Sequence, residues 1–124
     1  MKPLVKEATP KTPYLNFNAT NGYFQIAGKS IPENPHNLFD PILEWLDDYT
    51  SNPLPETKVD IKLEYFNTSS SVFLLSVLKK LKALYKEGYE TNICWYCDKK
   101  DDDMIEAGED YQSIIDIPIK IIEV

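Results

Sequence analysis

The chain has 124 residues, 43% of them hydrophobic and 27% charged, which is the length and composition of one ordinary globular domain. Its basic residues are all Lys, 13 of them, set against 20 acidic residues for a net charge of −7. An acidic chain without Arg lacks the basic footprint of a nucleic-acid binder or of a protein resting on anionic membrane, and no apolar run approaches the ~18 residues of a membrane span.

Residues 1–13 carry Pro3, Pro10 and Pro13 among Thr and Lys, and read as an extended or flexible lead-in. The start, Met1 to Lys6, lacks the apolar core of a signal peptide, and two cysteines fit free thiols. The expected setting is therefore the reducing cytoplasm. Tyr14–Asn18 and Tyr23–Gly28 are short aromatic-rich runs flanking Asn21-Gly22, a strong hairpin signal because both residues tolerate positive φ. Asn34-Pro35 reads as a helix start, and Asp40-Pro41 as a second one. A proline inside a helix removes a hydrogen bond, so the secure helix runs from Pro41 to about Tyr49 with a kinked or separate turn before it.

Residues 57–66 alternate: Val59, Ile61, Leu63 and Tyr65 face one way, Asp60, Lys62 and Glu64 the other. That pattern predicts a strand with one wet face. A long helix follows from about Ser70 to Glu87, with Gly88 as its stop. Residues 90–97 read as a strand. Asp103 and Glu106 have capping-box spacing, and Met104, Ala107, Tyr111, Ile114 and Ile115 mark the apolar stripe of a third helix. Residues 117–124 close the chain as a strand. The order β-β-α-β-α-β-α-β predicts a single small α/β domain over 1–124, with a mixed sheet and helices mainly on one face.

Four constellations bear on chemistry. Cys94-Trp95-Tyr96-Cys97 has redox or zinc spacing, but on a strand positions three apart point to opposite faces, and zinc would need about four ligands. The acids Asp98, Asp101, Asp102, Asp103, Glu106, Glu109 and Asp110 do not follow the spacing of a calcium loop and read as a solvated helix start or a docking surface. His36 is the sole His and has no nucleophile elbow to serve. No catalytic residue, metal or cofactor is expected. Asn67-Thr68-Ser69-Ser70 places an amide and three hydroxyls where a strand hands over to a long helix. Thr68 or Ser69 could simply cap the helix. Alternatively, a phosphate there would meet free N–H groups and the positive end of the helix dipole.

Three motifs carry a family resemblance: Tyr65-Phe66-Asn67-Thr68-Ser69-Ser70, the earlier Gly28-Lys29-Ser30-Ile31-Pro32-Glu33-Asn34, and the later Asp102-Asp103-Met104-Ile105-Glu106-Ala107-Gly108-Glu109-Asp110. From Ala8-Thr9 to the C-terminus the chain resembles the SiaC family of bacterial regulatory phosphoproteins. The resemblance implies a fold similar to STAS-type anti-sigma-factor antagonists and a partner-switching role. It implies that a cognate Ser/Thr kinase phosphorylates Thr68 and that a metal-dependent PPM-type phosphatase reverses the step. It further implies that the unmodified form binds and activates a diguanylate cyclase, with cyclic-di-GMP output controlling biofilm or aggregation. Asn67, Ser69, Ser70 and Ser71 are then the expected partner-binding residues around the phosphoacceptor. The rival readings are a constitutive interaction module with no switch, and a small metal-dependent hydrolase using the acids at 98–110.

Overall fold

The computed structural model describes residues 1–124. Six strands form one sheet in sequence order: β1 (Leu4–Lys6), β2 (Tyr14–Asn18), β3 (Tyr23–Ser30), β4 (Glu56–Phe66), β5 (Glu90–Cys97) and β6 (Ile119–Glu123). β1, β2 and β3 pair antiparallel, and β3 through β6 pair parallel. Each parallel step is bridged by a helix: α1 (Pro35–Ser51), α2 (Thr68–Lys86) and α3 (Asp102–Ile115). Crossovers of one hand that always step to the next strand on the same side must lay all their helices on one face. The mixed sheet with one covered face thus follows from the strand order.

The core lies between that face and the helices. Leu15, Phe17, Phe24, Ile26, Val59, Ile61, Ile93, Trp95 and Ile119 meet Leu38, Ile42, Leu46, Leu74, Leu78, Leu81 and Tyr111 in one buried cluster. Phe24 makes edge contacts with Trp45 and Tyr49, which ties the hairpin to α1.

The lead-in is not free. Leu4–Lys6 pairs with β2, and the Trp45 indole donates to the Lys2 carbonyl at 2.8 Å. A three-residue edge strand is too short to leave a periodic signal. α1 is also longer than the prolines suggest. It is one helix from its Asn34 cap to Ser51, with Pro41 inside it. Burial of Leu38, Phe39, Ile42, Leu46 and Tyr49 along one stripe outweighs the single bond that Pro41 cannot make.

Two further departures concern β4. Asp60 is not wet: only 2% of it is exposed, and its carboxylate accepts from the Tyr23 hydroxyl at 2.5 Å on the face without helices. Gln25 of β3 and Cys94 of β5 pair with it across the strands, and Tyr23 of β3 reaches it from beside Gln25, which leaves the carboxylate buried. The second departure is a bulge. Gly28 pairs with Leu63 but Lys29 pairs with Tyr65, so Glu64 is the extra residue. The bulge reverses the alternation beyond it. Tyr65 is exposed, while Phe66 turns inward against Trp95 and Tyr111. In α3, Ile114 points to solvent, and Gly108 takes a place in the buried stripe instead. A Cβ on Gly108 would lie 2.7 Å from the Trp95 ring, so the indole claims that space.

Candidate functional site

The first turn of α2 begins one residue after β4 ends, so the bulge and the inward turn of Phe66 set its position. The helix starts at Thr68, earlier than the apolar stripe indicates, and its cap is Asn67 rather than Thr68 or Ser69. The Asn67 carboxamide oxygen accepts from the Ser70 amide at 2.9 Å and from the Ser69 hydroxyl at 3.1 Å. The Asn67 carbonyl accepts from the Ser71 amide at 3.1 Å.

The four hydroxyls of residues 68–71 have different fates. Ser70 is fully buried and bonded to Ser30, oxygen to oxygen at 2.8 Å. Ser69 is exposed but donates to Asn67. Ser71 is half-buried and donates back to the Thr68 carbonyl at 2.6 Å. Thr68 is exposed, and its hydroxyl makes no hydrogen bond within the chain. The structure therefore brings the expected residues together but does not make them equivalent. The Thr68 hydroxyl is the one left both exposed and unengaged.

Electrostatics favour negative charge at this place. As the first two residues of the helix, Thr68 and Ser69 have N–H groups that lie beyond the intrahelical ladder. No acidic residue stands in the first turn to compensate the dipole. From the other side, the Tyr111 hydroxyl of α3 donates to the Ser71 carbonyl at 2.7 Å. Burial pushes the Tyr111 hydroxyl up to about 12, so it stays protonated and able to donate. Val72, four residues after Thr68 on the same helix face, and Tyr65 just before the loop are exposed apolar side chains. They give the rim of the loop a surface that a partner can cover.

Ser30 and Tyr111 are the residues that sequence reasoning did not assign to this site. Ser30 lies inside the Gly28–Asn34 motif, but no local pattern shows that it meets Ser70 forty residues later. Tyr111 reads as an ordinary core residue of α3.

The other constellations stay apart from the site. Cys97 belongs to the core cluster, and Cys94 lies on the opposite face of β5 beside Asp60. Both thiols are free, and burial is the main cause raising their pKa values, which keeps them protonated. The acids at 98–110 spread along the start of α3, whose cap is Asp101 rather than Asp103: its carboxylate accepts from the Met104 amide at 3.1 Å. Nowhere do three His, Cys, Asp or Glu side chains converge as metal ligands would. His36 is exposed, pairs with Asp40 at 3.1 Å and lies edge-on to Phe73. No helix is long and apolar enough to cross a membrane.

Comparison with known proteins converges on one group. The model of the SiaC family regulatory phosphoproteins matches residues 6–124. An uncharacterised protein of Pseudomonas aeruginosa (strain UCBPP-PA14) is 25% identical over 113 residues, covering 91% of this chain and 90% of that protein. Apo-SiaC from Pseudomonas aeruginosa has the same fold at a TM-score of 0.90 and 24% identity, covering 98% of this chain and 99% of that one. A chain from the crystal structure of the diguanylate cyclase SiaD in complex with its activator SiaC, also from Pseudomonas aeruginosa, gives a TM-score of 0.92 at 24% identity with the same coverage.

Proposed function

The chain belongs to the SiaC family of regulatory phosphoproteins, and from that premise we propose that it is a switch whose phosphoacceptor is Thr68. A cognate Ser/Thr kinase adds the phosphate, and a PPM-type phosphatase removes it. The unmodified form binds and activates a diguanylate cyclase, as SiaC does for SiaD in Pseudomonas aeruginosa. The observation that carries the reading is the state of the four hydroxyls: Ser69, Ser70 and Ser71 are all engaged, and Thr68 is exposed and unengaged at the first position of a long helix. Asn67, Ser69, Ser70 and Ser71 hold that position, and the exposed Tyr65 and Val72 supply apolar area beside it.

The direction of the switch follows from charge. A phosphate on Thr68 would add about −1.5 to −2 charge at pH 7. The unfilled N–H groups and dipole of α2 would hold it in place. The chain has no Arg to clasp it bidentately. The added charge therefore acts outward, desolvating poorly in an interface and repelling an acidic partner surface.

The test is mass spectrometry after incubation with the cognate kinase and ATP. Phosphate is expected on Thr68, and a Thr68→Ala variant should take up none. Full incorporation into that variant would sink the assignment. In the same system, Thr68→Asp should weaken binding to the cognate cyclase in calorimetry, and unchanged affinity would count against outward repulsion.

A further inference from the structure

Four consecutive hydroxyls present a kinase with a choice, since a side chain one residue along is a small displacement for an active site that grips a short segment. Resting on the reading of Thr68 as phosphoacceptor, we infer that Ser30 is the residue that makes the choice: it withdraws Ser70 and fixes Asn67, so that Thr68 alone is presented.

Ser30 ends β3 and is 1% exposed, and Ser70, in the first turn of α2, is 0% exposed. The Ser70 hydroxyl donates to the Ser30 carbonyl at 3.0 Å. Its one proton is then used, so in the 2.8 Å contact between the two hydroxyls it is Ser30 that donates. The result is a closed, buried pair with no spare donor. The Ser30 carbonyl accepts a second time, from the Asn67 amide at 3.0 Å. That bond holds the capping residue where its side chain reaches the Ser70 amide and the Ser69 hydroxyl. One residue of β3 thus governs Asn67, Ser69 and Ser70 together.

An Ala at position 30 keeps the carbonyl that holds the Asn67 amide and the Ser70 hydroxyl, but without the Ser30 hydroxyl the buried Ser70 oxygen loses its donor and the first turn of α2 loses one of its anchors. A loosened turn exposes Ser70, frees the already exposed Ser69 hydroxyl from Asn67 and misplaces Thr68. In the transfer itself, the bond between Thr68 Oγ1 and the γ-phosphorus of ATP forms as the bond from that phosphorus to the ADP oxygen breaks. The hydroxyl proton passes to the base of the kinase. Ser30 touches none of these atoms. It acts by positioning, and its signature is the identity of the modified residue as well as the rate.

The experiment incubates the full chain, Ser30→Ala and Ser70→Ala with the cognate kinase and ATP, then measures kcat and KM and localises phosphate by mass spectrometry. Circular dichroism checks that each variant is folded. The wild type should be modified at Thr68 alone. Ser30→Ala should carry phosphate also on Ser69 or Ser70, with the rate at Thr68 reduced about tenfold or more and the loss mainly in kcat. Ser70→Ala should lose rate in the same way, with phosphate spreading only to Ser69. It carries the same test should Ser30→Ala not fold. A folded Ser30→Ala chain modified at Thr68 alone, with wild-type kcat, overturns the role of Ser30 and leaves the phosphoacceptor standing. A wild-type chain without phosphate on Thr68 overturns the phosphoacceptor itself, a result that the variants do not enter.

Discussion

The starts of α2 and α3 are built alike and equipped for different work. Each follows a parallel strand, and each is capped by a short polar side chain that accepts from the amide three residues on, Asn67 to Ser70 and Asp101 to Met104. The cap of α3 is itself acidic, and Asp102 and Asp103 fill its first turn. Its dipole is answered before any ligand or modification arrives. The cap of α2 is a neutral amide, its first turn holds only hydroxyls, and no acid stands there. Two helix ends with one capping geometry therefore differ in what they can still accept: added negative charge is favourable at α2 and redundant at α3. The way they are seated differs too. α2 is pinned by hydrogen bonds to Ser30 and Tyr111, and α3 by Trp95, whose ring leaves room only for Gly108 and whose indole N–H donates to the Met104 carbonyl at 3.0 Å.

The largest effect should come from disturbing that fit. Gly108→Ala places a methyl within 3 Å of the indole, so Trp95 or the helix must shift, and urea denaturation should show a loss of about 1–3 kcal/mol. A neutral result would mean that α3 is not seated by shape. The paired caps come next. Asn67→Ala should cost about 1–2 kcal/mol and Asp101→Ala about 0.5–1 kcal/mol, because Asn67 also holds the Ser69 hydroxyl, while Asp102 and Asp103 remain to serve α3. Equal losses in thermal or urea unfolding would break the contrast between the two ends.

Charge should separate them further. Thr68→Asp should stabilise the fold by about 0.3–1 kcal/mol at low ionic strength, an effect that salt reduces. An added acid in the first turn of α3, as in Met104→Glu, offers no such clean test, since Met104 is buried. Asp103→Asn is the cleaner counterpart. It should destabilise by a few tenths of a kcal/mol because two acids remain. Stabilisation by the latter change would show that the acids of α3 repel more than they serve the dipole.

The smallest effect at neutral pH is that of Tyr111, which is buried, and Tyr23, which is half-buried, and it becomes visible only in alkali. Burial raises Tyr111 to about 12, and burial together with the Asp60 hydrogen bond raises Tyr23 to about 12, from an ordinary value of 10.0. The protonated phenol is favoured in the fold, so the stabilisation is complete below about pH 10 and is lost as pH rises through about 12. Ultraviolet titration of the phenolates should show two late groups among the eight tyrosines. Tyr111→Phe should remove one of them, and a late pair that persists in that variant would show that another residue supplies it.

Most of the framework was legible in the sequence, for reasons that are local. Val59, Ile61 and Leu63 announce a half-buried strand because side chains alternate with period two. Leu74, Val77, Leu78 and Leu81 announce a helix because neighbours on one face recur every three or four residues. Gly88 marks the end of α2 as a residue at φ +95, where the Tyr89 amide reaches back to the Leu84 carbonyl. What escaped was phase and partnership. The bulge at Glu64 exchanged Tyr65 for Phe66 on the buried face, and Asp60 was enclosed by side chains from β3 and β5. The strand at Leu4–Lys6 depends on β2 for its pairing, and its own residues carry no periodic signal.

The candidate site divides along the same line. The residue types at 67–71 and the absence of Arg are properties of the sequence, and they determined that the start of α2 is rich in hydroxyls, lacks an acid and cannot grip a phosphate with a guanidinium. Strand order with crossovers of one hand determined that every helix shares one face. The burial of Ser70, which leaves Thr68 as the exposed and unengaged hydroxyl, was decided by tertiary structure. The Ser69 and Ser71 hydroxyls are engaged locally, by Asn67 and Thr68, whereas Ser70 is engaged by Ser30 across forty residues of chain, and Tyr111 fixes the Ser71 carbonyl across as many. Hydrogen bonds at that separation depend on how the strands and helices stack, and periodicity along the chain carries no record of it.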